Sequence, residues 1–288
     1  MPIIVGSPRS GTTLLRLMLD AHPDLTIPPE TGFLVMRPES PRAGETDADA
    51  FARRLTSYPP DAPGWADFLL SSDEFARRIG LLAPFSPSGG FRVFYRMYAE
   101  RFGKPRWGDK TPMYGHHLRE IEALLPEARF IHLIRDGRDA AVSLRRQWFS
   151  PGSDMATQAR FWRDNVRNAR REGAACRHYL EVHYEDLVRD PSAVLKRICT
   201  FIDLRWDERV LTHHREAAAR LEEHQGRRRS DGSLLLTSEA RRRQQASSAN
   251  IPSPAKIAQW RQALTREEQR VFSEEAGALL IELGYPVA

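Results

Sequence analysis

An α/β fold, with a central and largely parallel sheet flanked by helices, follows from three features of the sequence. The short β-branched run Ile3–Val5 is followed by a turn rich in Gly, Ser and Pro, and then by an apolar-periodic segment from Leu14, the order strand, loop, helix. The run Arg129–Ile134 reads as a buried strand and enters a polar stretch, Arg135-Asp-Gly-Arg-Asp139. Elsewhere, helix-period segments alternate with short apolar runs, as parallel α/β sheets require. A chain of 288 residues that is 41% hydrophobic can bury one large core, so a single domain spanning 1–288 is expected.

The first loop, residues 6–11, is a place for an anion. Backbone N–H groups are left without partners at a helix start, and the helix dipole adds about half a positive charge there. Gly6 and Gly11 have the spacing of the outer glycines in G-x-x-x-x-G-K-[ST], but Thr12 stands where the lysine belongs, and the cation is Arg9 within the loop. A nucleotide is expected, without the usual Mg-bound triphosphate. The alternative is a glycine-rich turn that only caps a helix.

A helix over Thr12–Ala21 carries a core stripe of Leu14, Leu15, Leu17, Met18 and Leu19, and His22-Pro23 ends it. A short strand, Leu25–Ile27, leads to Pro28-Pro29-Glu30-Thr31. Glu30 follows a rigid corner at the sheet edge where ligands gather, and a carboxylate there can accept a proton. Position alone favours a solvated turn glutamate or a helix-capping charge.

Residues 37–105 form a polar, Pro-rich helical excursion with anchors at Phe51, Leu55, Trp65, Phe68 and Leu69, and a returning helix near Phe91–Phe102. It is the candidate cover for an acceptor. Arg106–Pro112 is a polar cluster ahead of a helix over Tyr114–Leu125. Only four of 43 basic residues are lysines, so Lys110 in this cluster suggests a need for a compact point charge. A surface ion pair between Asp109 and Lys110 is the structural alternative. His116 and His117 read as ordinary surface or capping residues, since neighbours on a helix do not face one target.

After the 129–134 strand, Arg135 and Ser143 are suited to a second phosphate, by guanidinium fork geometry and hydroxyl donation. A helix over 155–172, a strand over Tyr179–Tyr184 and a core helix over 192–202 follow. Residues 221–249 are strongly basic, with Arg227-Arg-Arg229 and Arg241-Arg-Arg243. They lack the aromatic residues that stack nucleobases, so a mobile or ligand-ordered loop is expected instead of a nucleic-acid stripe. Helices over 254–264 and 265–283 close the chain.

The net charge of +5 suits an anionic small ligand. Cys176 and Cys199 have no metal-ligand spacing and read as reduced thiols. No run approaches membrane-spanning length and no leader pattern precedes the first strand, so a soluble, cytoplasmic protein is expected.

Gly6-Ser-Pro-Arg-Ser-Gly-Thr-Thr-Leu-Leu15 resembles the 5′-phosphosulfate loop of sulfotransferases that use 3′-phosphoadenosine 5′-phosphosulfate (PAPS). Arg135-Asp-Gly-Arg-Asp139 with Ser143 is similar to that family's 3′-phosphate element. The tyrosylprotein branch is the nearest in motifs: it resembles this chain at Met18–Pro23, at Glu30-Thr31, at Lys110 before Thr-Pro, and at Tyr184-Glu-Asp-Leu187 before Asp190-Pro191. The likeness spans about 3–36 and 106–215 and leaves out the 37–105 cover.

The resemblance implies a P-loop-type three-layer fold and a PAPS-dependent enzyme. It implies that Arg9, Ser10, Gly11, Thr12 and Thr13 cradle the 5′ end of the donor and that Arg135, Ser143 and Tyr184 hold the 3′ end. It further makes Glu30 the base, with Lys110 and Arg9 stabilising the transferring group. In the small-molecule branch a histidine following Lys-Thr is the base; Pro112 occupies that place here. Gln259 precedes Trp260 where the tyrosylprotein branch has lysine, so Ser247, Ser248 and Lys256 are weaker donor contacts. The expected partners are PAPS and an unidentified hydroxyl acceptor, with no metal, nucleic acid or membrane span and with a homodimer left open. Rival readings are a P-loop kinase or NTPase and a basic nucleic-acid binder.

Overall fold

Strand β1 (Pro2–Val5) is buried at every position in the computed structural model, which describes residues 1–287. The chain continues through α1 (Thr12–Asp20), β2 (Leu25–Thr26), α2 (Asp47–Thr56), α3 (Ser72–Gly80) and α4 (Pro87–Glu100). Two short strands, β3 (Arg106–Trp107) and β4 (Asp109–Lys110), precede α5 (Leu118–Leu124) and the long strand β5 (Arg129–Ile134). Next come α6 (Gly137–Leu144), α7 (Met155–Gly173), β6 (Tyr179–His183), α8 (Tyr184–Arg189) and α9 (Pro191–Phe201). The chain ends with α10 (Ala217–Leu221), a hairpin of β7 (Arg227–Arg228) and β8 (Leu234–Leu236), then α11 (Ser238–Gln245), α12 (Trp260–Ala263) and α13 (Arg266–Glu282).

The main sheet has the order β4-β1-β5-β6, with every neighbouring pair parallel. Alternate side chains of a strand point to opposite faces, and both faces are covered. Ile3, Val5 and Phe130 pack under α2, α3, α4 and α5, whereas Ile4, Ile131 and Leu133 pack against α1, α8 and α9. A third cluster joins Ile134 to α6, α7 and α13 through Trp162 and Phe272. This is the three-layer α/β arrangement expected from the sequence, and it brings all four strand ends to one edge.

Three segments differ from the sequence expectation. Arg106–Pro112 is not only a polar cluster: Asp109 and Lys110 are the sheet's edge strand, with Ile3 opposite Asp109 and Ile4 opposite Lys110. The 254–264 helix is reduced to a 3-10 turn at Pro254–Lys256 and the short α12. Asp139 breaks it by accepting the amides of Ala258 and Trp260, each at 2.8 Å, with Ala258 at φ 58°. Residues 221–249 are folded into the hairpin, α11 and a 3-10 turn. Buried Asp67 anchors them, accepting from Arg227 at 2.9 Å and from Arg241 at 2.6 and 2.7 Å.

Candidate active site

The four parallel strands each deliver a candidate site residue at or just past the carboxyl end. β1 runs into the Arg9–Thr13 loop, β4 ends at Lys110, β5 is followed by Arg135, and β6 by Tyr184. All of these segments line one cleft of about 1180 Å³. Glu30, Ser143, Ser247, Ser248 and Lys256 line it too. Ser10 does not: it lies fully buried beneath the loop, its hydroxyl without a partner among the described residues.

The loop is shaped for close approach. Gly11 has φ 95°, in the left-handed region that favours glycine. A Cβ there would lie 2.6 Å from the Tyr184 ring. Among the described residues, the amides of Gly11, Thr12 and Thr13 make no backbone hydrogen bond, which is the donor array of an anion-binding helix start. Arg9 donates through Nε to Ser143 Oγ at 2.9 Å. Arg135 reaches the Arg9 carbonyl at 3.2 Å and the Lys256 carbonyl at 2.9 Å, with its guanidinium 4.5 Å from the Tyr184 ring centre. The two anion elements therefore share a wall. Burial, then repulsion from Arg135, lowers the pKa of Arg9, and Arg135 Nε has no hydrogen-bond partner among the described residues. Two adjacent guanidinium groups with unspent donors suit a nucleotide bearing phosphate at both ends.

At the other end, Lys110 Nζ donates to Glu30 Oε1 at 2.5 Å and lies 3.4 Å from Thr13 Oγ1. The lysine side chain is 4% exposed and the glutamate 52%. Burial pushes the Lys110 ammonium pKa down, and Glu30 opposes the shift. Sequence reasoning left Asp109 as a partner for Lys110, yet its carboxylate faces inward. It accepts from Thr31 Oγ1 and Tyr95 OH at 2.6 Å and from Thr111 Oγ1 at 2.9 Å. Burial raises its pKa, while those three hydroxyls pull it back. Thr31 also donates its amide to Thr111 Oγ1 at 3.2 Å, so this hub fixes the backbone next to Glu30. Asp109→Ala would remove the acceptor of three buried hydroxyls; Thr31 Oγ1 keeps Tyr114 OH at 2.8 Å, and the loss at Tyr95 and Thr111 is about 1–3 kcal/mol each. A clear fall in melting temperature with reduced kcat is expected in thermal scans and initial-rate assays; an unchanged melting temperature would remove Asp109 from this role.

His116 is held by Asn165 and Asn168 at 2.9 and 3.2 Å, and His117 is exposed beside Glu120. Of the 37–105 stretch, only Pro59, Asp61 and Ala62 line the cleft; the rest packs on the sheet or faces outward. The opposite wall comes from the basic stretch, through His224, Arg227, Leu235, Leu236 and Arg241. His224 and Asp67 escaped the sequence reading, because neither belongs to a motif and only the tertiary fold brings His224 to the cleft and buries Asp67 against Arg227 and Arg241.

Fold and cleft together define an α/β protein with a phosphate-type loop and a second anion element at the same sheet edge. The chain belongs to the sulfotransferase family, whose model matches residues 3–208. It is similar to the nodulation protein NoeE of Sinorhizobium fredii, at 29% identity over 98% of this chain and 65% of that protein. It is also similar to protein-tyrosine sulfotransferase 1 of Danio rerio, at 29% identity over 75% of this chain and 57% of that protein. The chain thus spans about three fifths of the length of these two relatives. The sulfotransferase domain of the Synechococcus PCC 7002 olefin synthase shares the fold, with a TM-score of 0.63 at 24% identity, covering 100% of this chain and 95% of that one. Among the described residues no helix is long and apolar enough to cross a membrane.

Proposed function

We propose that the chain moves a sulfuryl group from PAPS to an acceptor hydroxyl by in-line displacement, with Glu30 as base. The observation that carries this reading is the cleft itself, with the Arg9–Arg135–Ser143 anion wall and the Lys110–Glu30 pair on its lining. Arg9, Gly11, Thr12 and Thr13 would take the 5′ end of the donor, with Ser10 supporting the loop from below. Arg135, Ser143 and Tyr184 would take the 3′ end, with Ser247, Ser248 and Lys256 beside them.

PAPS supplies the activated sulfuryl group and departs as adenosine 3′,5′-bisphosphate (PAP). Glu30 takes the proton of the attacking hydroxyl, the new oxygen–sulfur bond forms, and the bond from sulfur to the donor phosphate breaks. Lys110 and the loop amides stabilise the charge that collects on the departing oxygen. Lys110 holds Glu30 at 2.5 Å through one of its three N–H donors, which leaves donors for the departing group. A sulfate ester carries less charge than a phosphate, and these cations suffice without a metal. Full turnover in EDTA is expected, and loss of activity on adding chelator would contradict it.

Gly11→Ala would force a left-handed alanine against Tyr184 and is expected to weaken PAP binding by roughly tenfold or more. Calorimetry checks this; wild-type affinity would mean that the loop does not grip the donor. Thr12 in the lysine position disfavours the kinase reading. The two free cysteines fit a reducing compartment, consistent with a cytoplasmic enzyme. The assay that tests the function is PAP release from PAPS across a panel of alcohols, sugars, phenols and tyrosyl peptides.

A further inference from the structure

Large apolar side chains left exposed as a group mark a binding surface. Met113, Trp148 and Phe149 are 45%, 60% and 36% exposed, and all three line the cleft together with half-buried Phe161. The Trp148 and Phe149 rings meet edge to face with their centres 5.5 Å apart.

This apolar strip starts beside the Lys110–Glu30 pair. Met113 is three residues from Lys110, so the chain separates their Cα atoms by at most about 11 Å. Between them, Thr111 Oγ1 accepts the amide of Thr31, the residue after Glu30, at 3.2 Å. The 3-10 turn that carries Met113, Pro112–His116, is fixed on α7: His116 Nε2 bonds Asn165 at 2.9 Å, and Asn165 donates to the Phe161 carbonyl at 2.7 Å. The far end of the strip is fixed on the same helix. Gln158 donates to Ser150 Oγ at 2.7 Å and to Gly152 O at 2.5 Å, which holds the segment just after Phe149 against the first turn of α7. From Asn165 back to Gln158 is about 10 Å of helix, with Phe161 midway.

The cleft has room for a second ligand here. Its volume of about 1180 Å³ exceeds the roughly 300–1,000 Å³ of a site for one small molecule. The four apolar side chains offer nothing to a phosphate, whereas Arg9 and Arg135 do. Resting on the sulfotransferase reading, we propose that the strip binds the body of the acceptor, an uncharged alcohol whose alkyl chain runs from Glu30 to Trp148. The hydroxyl sits at Glu30, and the chain covers Met113, Phe161 and the Trp148–Phe149 pair. A flexible chain follows this uneven surface along its length. A sugar would leave hydroxyls against apolar side chains, at a cost in lost hydration.

The test is kcat/KM for primary alcohols from ethanol to octanol at saturating PAPS. Each added methylene that leaves water for the strip is expected to raise it roughly two- to fourfold. Trp148→Ala and Met113→Ala are expected to flatten this rise, with PAP affinity by calorimetry unchanged. Both side chains are exposed, so neither substitution opens a core cavity. The proposal is overturned if wild type binds PAP yet sulfates none of the alcohols or shows no rise along the series, or if neither variant flattens the rise. It is equally overturned if either variant loses PAP affinity, because the strip would then belong to the donor. A wild-type protein that takes up no PAP would instead refute the sulfotransferase reading.

Discussion

Glu30→Gln is expected to lower kcat by about 10²- to 10⁴-fold while PAP affinity holds, because the amide keeps the shape of the side chain and loses its capacity to take a proton. Three features of the structure support this magnitude. Glu30 is half-exposed on the cleft lining, so a hydroxyl can reach it. The adjoining backbone is fixed by Thr31, Thr111 and Asp109. Pro112 stands where the small-molecule branch of the family, from which this chain departs, would place a histidine base. A loss of only a few-fold in kcat, measured at saturating PAPS, would reduce Glu30 to a tether for Lys110.

Lys110→Ala is expected to raise the barrier by on the order of 3 kcal/mol, comparable with removing one oxyanion donor from a preorganised site. The ammonium is buried and held between Glu30 and the donor loop. Low exposure reduces screening by solvent, which makes a single charge count for more there than on the surface. Lys110→Arg should not restore the rate, since a planar fork cannot replace a point charge in so closed a space. Single-turnover measurements with PAPS separate this from a binding defect, and an unchanged chemical step would reject the role.

The buried strands were legible from composition. β5 begins and ends where the run Arg129–Ile134 does, because its apolar residues Phe130, Ile131, Leu133 and Ile134 find cover on both faces only inside a sheet. The first loop was legible for a different reason: Gly6 and Gly11 mark positions where a side chain would strike Leu133 O or Tyr184. β4 was not, since two polar residues carry no periodicity, and only the neighbouring β1 makes Asp109 and Lys110 a strand. The inward turn of Asp109 depends on Tyr95, fourteen residues earlier and on another element. Nor could the sequence show that Arg9 bonds Ser143 across 134 residues, merging two anion elements into one wall. The basic stretch illustrates the same limit: its charge was plain, but Asp67, which binds Arg227 and Arg241 into the cleft lining, is a single acid inside a distant 3-10 turn.

Calorimetric titration of PAP into the protein and its Arg135→Ala variant tests the donor site most directly. Saturable binding to wild type, weakened by at least roughly tenfold in the variant and unaffected by EDTA, is the predicted result. No uptake of PAP by wild type, or equal affinity in the two proteins, would contradict it.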